Sequence, residues 1–99
     1  MFVMELTYTA PLEAVEREMD AHLAWLDTHY AKGVFLASGR KVPRDGGVIL
    51  ATGVSRAEAE AIAAGDPFVL AGVCAYRITE FVATKTAPSL AAVRETLPS

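Results

Sequence analysis

Residues 2–33 read FVMELTYTAPLEAVEREMDAHLAWLDTHYAKG, a two-residue period that gives way to a helical one. Phe2, Met4, Leu6 and Tyr8 alternate with Val3, Glu5 and Thr7. A period of two predicts a strand with one strongly apolar face. Thr9-Ala10-Pro11 then starts a helix: Thr9 can cap it, and proline is tolerated in a first turn. Glu13 and Glu16 fall near the positive end of its dipole. Val15, Met19, His22 and Leu26 are spaced 4, 3 and 4, which puts them on one helical face. Leu12 and Leu23 widen that stripe. Lys32 and Gly33 mark the stop.

Working outward, Val34 to Ser38 reads as a second strand and Val48 to Thr52 as a third. Between them Gly39 to Gly47 holds Arg40, Lys41, Pro43, Arg44 and Asp45, a basic hairpin loop. Ser55-Arg56-Ala57-Glu58 is a capping box, and the alanine-rich helix after it ends near Gly65. Pro67 begins a short turn from Phe68 to Ala71. Gly72 breaks it, and Val73 to Val82 forms a last strand. Thr86-Ala87-Pro88 repeats the helix-start chemistry, and Leu90, Val93 and Leu97 carry a final helix. The order β-α-β-β-α-β predicts an α+β, ferredoxin-like domain with an antiparallel sheet and an extra C-terminal helix. Residues 1–99 read as one domain, with a core over about 1–82 and an extension over about 83–99.

A 99-residue chain has a thin core, burying about 60–65% of its unfolded surface. Yet 53% of the residues are hydrophobic, and the mean hydropathy is +0.30. Helices on one side of the sheet leave the other side open, and that side is the natural place for a second copy. A homodimer or larger, joined sheet to sheet, is therefore expected. The net charge of −3 and scattered Lys and Arg argue against nucleic acid. No apolar run approaches a membrane span, and Met1 to Glu5 lack the basic flank of a signal peptide. The single cysteine, Cys74, excludes an internal disulfide and makes a zinc site implausible. A cytoplasmic protein with no cofactor is expected.

His22 is the first candidate for chemistry. In an apolar stripe it is either a core histidine bonded to backbone or a general acid/base, a role suited by its near-neutral pKa. His29, seven residues on, lies about 10 Å further along the axis. That is too far to share a metal with His22, and His29 reads as structural or exposed. Asp66 precedes Pro67 after a helix, where a carboxylate can satisfy free backbone groups. It can equally partner an imidazole, if the two helices cover the same sheet. That pair is the minimum equipment for proton transfer. Ser38, Gly39, Arg40 and Arg44 belong to the basic loop, which can receive an anion or stand solvated. Phe68 reads as a core anchor, and Cys74 as a small buried hydrophobe. Trp25 and Tyr30 can line a pocket or a dimer contact.

These motifs together resemble the YciI-like, or YCII-related, family from the first strand to about Phe81. The matching pieces are His22-Leu23-Ala24-Trp25-Leu26, Gly33 with Leu36-Ala37-Ser38-Gly39, Pro43-Arg44-Asp45-Gly46-Gly47, and Asp66-Pro67-Phe68 with Ala71-Gly72. The resemblance implies a ferredoxin-like protomer that dimerises sheet to sheet, as in the dimeric α+β barrel superfamily. It implies a cleft whose active site is a His and an Asp, matching His22 and Asp66. The loop's own chemistry, apart from the resemblance, makes Ser38, Gly39, Arg40 and Arg44, with Phe68, the candidate substrate contacts. Met19 stands where members commonly carry an arginine, so the cation here would be Arg40 or Arg44, or the ligand differs. The family includes a dehydrochlorinase that removes HCl from a chlorinated aromatic.

Two functions follow. One is a cofactor-independent lyase or isomerase acting on a small anionic or aromatic molecule. The other is a non-catalytic small-molecule-binding or accessory dimer. Some dimeric α+β barrels also hold haem through a histidine, for which only His22 and His29 are available.

Overall fold

The structure is a computed structural model that describes residues 1–98. Four strands, β1 (Phe2–Tyr8), β2 (Phe35–Arg40), β3 (Gly46–Ala51) and β4 (Cys74–Glu80), form one antiparallel sheet in the order β2-β3-β1-β4. This is the ferredoxin-like arrangement expected from the order of elements. In β1 the alternation is realised: Phe2, Met4 and Leu6 are buried, while Val3 and Glu5 are half-buried and Thr7 is exposed. Met4 pairs with Ile49 and Ile78, and Leu6 with Gly47 and Tyr76. The buried face therefore continues across three strands. Phe35 of β2 extends it, and Val15, Ala59, Ala63 and Phe68 close over it from the helices to complete the core.

The first helix is two helices, α1 (Leu12–Arg17) and α2 (Met19–Ala31). At Glu18 the backbone opens to φ −100°, ψ 2°. Its N–H donates to Val15 three residues back, a tighter turn than the α pattern. Each piece keeps one buried residue from the stripe, Val15 in α1 and His22 in α2. Leu12 and Leu23 are nearly half exposed, so the stripe is narrower than its spacing suggests. Thr9 does not cap the helix. Pro11 is the N-cap residue, and the Thr9 hydroxyl instead donates to the Gly72 carbonyl.

The capping box forms as read. Ser55 Oγ accepts from the Glu58 N–H, and the Glu58 carboxylate accepts from the Ser55 N–H. It starts α3 (Arg56–Ala64). Asp66 then caps α4 (Pro67–Leu70), accepting the Phe68 N–H, with Pro67 at the first helical position. Gly72, at φ +72°, turns the chain out of α4 into β4.

Other boundaries also differ from the sequence reading, and β4 stops at Glu80, short of Val82. The hairpin loop shrinks to residues 41–45, because the pairing of β2 with β3 runs on to Arg40 and Gly47. The final helix is a 3-10 turn, Pro88–Val93, none of whose residues is buried. Leu90 stays nearly half exposed and Leu97 mostly exposed. With so little burial, a longer helix has nothing to hold it.

Candidate active site

His22 and Asp66 come from two helices that pack against each other, α2 and α4. His22 projects inward from the first turn of α2, and Asp66 stands at the head of α4. His22 Nδ1 donates to Asp66 Oδ1 at 2.8 Å. The pair is buried, with Asp66 wholly hidden and His22 8% exposed. Asp66 is held from two other sides. The Phe68 N–H donates to Oδ1 at 2.9 Å, and the Tyr76 hydroxyl donates to Oδ2 at 2.6 Å. An acceptor carboxylate at Nδ1 selects the tautomer with its proton there. Nε2, with its lone pair free, is then the nitrogen left for a ligand.

Phe68 holds the imidazole flat. Its ring stacks on His22 with centroids 3.9 Å apart and planes 8° from parallel, and Tyr8 meets its edge. Trp25 lies tilted 31° to the imidazole, with ring centroids 5.6 Å apart.

His22 lines a cavity of about 300 Å³, the size of site that takes a small organic molecule. Leu6, Met19, Leu23, Leu26, Ile49 and Phe68 make its walls apolar. Ser38, Gly39 and Arg40 line it opposite, brought there by β2. Ser38 and Arg40 pair with Ile49 and Gly47, so they share the helix-facing side of the sheet. Arg40 is the one guanidinium or ammonium on the cavity wall among the described residues. Gly46 and Gly47 keep the floor low, since a Cβ at Gly46 would run into the Leu6 carbonyl.

The structure thus brings His22, Ser38, Gly39, Arg40 and Phe68 to one cavity, with Asp66 directly behind His22. Arg44 does not line it. Its guanidinium is committed to Glu16 at 2.6 Å, beside Tyr8. Tyr30 and Trp25 also stay off the wall. Tyr30 shares a hydrogen bond with Ser38 (2.7 Å), and Trp25 packs edge-on against Phe35 and His29. Cys74 is buried. Its thiol is pushed up to about 11, first by burial and then by the nearby Asp66 charge, so it is a poor nucleophile. No cluster of three His, Cys, Asp or Glu side chains fit for a metal occurs among the described residues.

Sequence reasoning missed Tyr76 and Tyr8. Tyr76 alternates with Cys74 and Ile78, which is a core-facing register, and a buried phenol needs a partner. That signal says a partner exists without saying which one.

No curated protein matches the chain. Among solved structures it is similar to a 5-chloro-2-hydroxyhydroquinone dehydrochlorinase from Burkholderia phenoliruptrix AC1100, in complex with 2,5-dihydroxybenzoquinone. The identity is 20%, the match covers 82% of this chain and 93% of that one, and the TM-score is 0.65. At that identity the likeness shows a shared fold. The family model described as the YCII-related domain matches residues 1–82, and the chain, with its ferredoxin-like sheet, belongs to that family.

Proposed function

We propose that the protein is a cofactor-independent acid/base catalyst, a lyase or isomerase acting on a small molecule with an anionic or aromatic body. The observation that carries this is the 2.8 Å bond from His22 Nδ1 to the buried Asp66, which leaves Nε2 free beside the cavity. Nε2 takes a proton from the substrate. In an elimination, the electron pair the proton leaves behind, on carbon or on a quinol oxygen, becomes the new π bond, and the leaving group departs with its own pair as an anion. Asp66 stabilises the imidazolium formed, as the carboxylate of a catalytic triad does. Arg40 receives the substrate's negative charge. Ser38 and Gly39 border it, and Phe68 fixes the imidazole plane. The fold shared with a dehydrochlorinase supports an elimination.

In this proposal the chain is one domain that works as a homodimer, with a small molecule rather than nucleic acid or a membrane as its ligand. Among the described residues no helix is long and apolar enough to cross a membrane.

Chloride release from 5-chloro-2-hydroxyhydroquinone, a quinol whose loss of HCl needs only proton movement, is the first assay. His22→Ala and Asp66→Asn are each expected to lower turnover at least about tenfold with the fold kept. Unchanged turnover in His22→Ala would sink the catalytic reading. The second reading, a binding module, is favoured by the mostly apolar wall with a single imidazole on it. It predicts a ligand that raises Tm and is recovered unaltered.

A further inference from the structure

Tyr76 reaches Asp66 from the side away from the cavity. It projects from β4 in register with Leu6 and lines a separate concavity with Ala63, Val69, Cys74 and Ile78. It is absent from the wall that His22 lines. A ligand beside His22 therefore does not meet the phenol. Even so, phenol and imidazole hold the two oxygens of one carboxylate, at 2.6 Å and 2.8 Å.

We propose that Tyr76 is a positioning residue which, by donating to Asp66 Oδ2, orients the carboxylate and tempers the basicity of His22. The proposal rests on the His22–Asp66 site described above and deepens it. A short O–H···O⁻ bond is among the stronger hydrogen bonds, and it takes up part of the carboxylate's negative charge. Less of that charge then acts on the imidazole. An opposite charge nearby favours the protonated imidazole, so a tempered carboxylate makes a weaker base of His22. The bond also fixes the carboxylate plane, so that Oδ1 alone faces Nδ1, the proton stays on Nδ1 and the free lone pair on Nε2.

The donor is secure. Burial and the Asp66 charge push the Tyr76 phenol far above its ordinary value, so it keeps its proton throughout the working range. The other groups around the pair are few. Arg40 and Tyr8 face His22 from the strands. Cys74 stands near Asp66 on β4, and Glu60 lies at the rim of the second concavity. Glu18 meets His22 through its backbone carbonyl. His29 lies beyond Trp25 on the same helix, and α4 itself carries no titratable side chain.

The test is an NMR titration of the His22 ring nitrogens in the full chain, in wild type, Tyr76→Phe and Asp66→Asn. His22→Gln assigns the signals. Tyr76→Phe is expected to raise the His22 midpoint by about half a pH unit or more, and Asp66→Asn to lower it by about a unit. The opposite signs are the signature, because a loss of packing alone would not separate the two variants this way. If Asp66→Asn lowers the midpoint and Tyr76→Phe leaves it unmoved or lowers it, the role of Tyr76 is overturned while the pair stands. If neither variant moves it, both fall. Should Tyr76→Phe fail to fold, 3-fluorotyrosine placed at position 76 keeps the bond and strengthens the donor. The midpoint should then drop, and an unmoved midpoint overturns the proposal.

Discussion

His29 shows how one residue type takes two characters on one helix. It lies two turns beyond His22, half-buried against Trp25 and Phe35, and its Nδ1 has no partner among the described residues. Burial lowers its pKa from the ordinary 6.5, and Lys32 adds to the effect. Its folded value is thus below its unfolded one. The unfolded chain takes up this proton first as the pH falls. The stability linked to His29 is complete above about pH 6.5 and is lost as the pH falls through the folded value. Urea midpoints at about pH 8, 6.5 and 5 should fall more steeply in wild type than in His29→Gln. Parallel slopes would remove this role. His22 was legible as a candidate because an imidazole in an apolar stripe needs a partner. Asp66 was legible as a turn residue. That each is the other's partner depends on where α4 sits over α2, which no local spacing encodes.

At the scale of elements, the hairpin of β2 and β3 does more than the sequence suggested. Gly46 lies opposite Thr7 in the ladder, close under the Leu6 carbonyl. Gly46→Ala drives a methyl into that backbone, which cannot swing aside as a side chain would. The expected cost is about 1–3 kcal/mol, read from urea unfolding, and the cavity floor should be disturbed as well. A variant as stable as wild type would show that the strands can part without penalty. The glycines were read at first as ends of a loop; their close approach to β1 required the register. The capping box of α3 was legible because its two hydrogen bonds lie within four residues. The break at Glu18 was not, since neither proline nor glycine marks it. The C-terminal helix failed because its start signal is local, while helix stability comes from a buried face.

For the whole molecule, the proposed assembly depends on the helix-free face of the sheet. Val3, Val48 and Leu50 are half-buried there, beside Glu5, Arg77 and Thr79. With 53% hydrophobic residues and a core served by one sheet face, this side is the proposed dimer contact. Leu50→Lys is expected to shift the mass seen by light scattering from two chains towards one. An unchanged dimer would move the contact elsewhere. The fold class followed from element order and from period-two and helical stripes, because these patterns dictate which face of each element must leave water. Local pattern likewise carried the capping box of α3 and the turn at Asp66-Pro67, though not the cap of α1. Only the tertiary structure decided that Asp66 holds both His22 and Tyr76, that Arg40 faces the cavity, and that Arg44 is tied to Glu16. The physical reason is range. Periodicity and capping act over a few residues, whereas a hydrogen bond between residues 22 and 66 exists only once the sheet has set the distance between the helices above it.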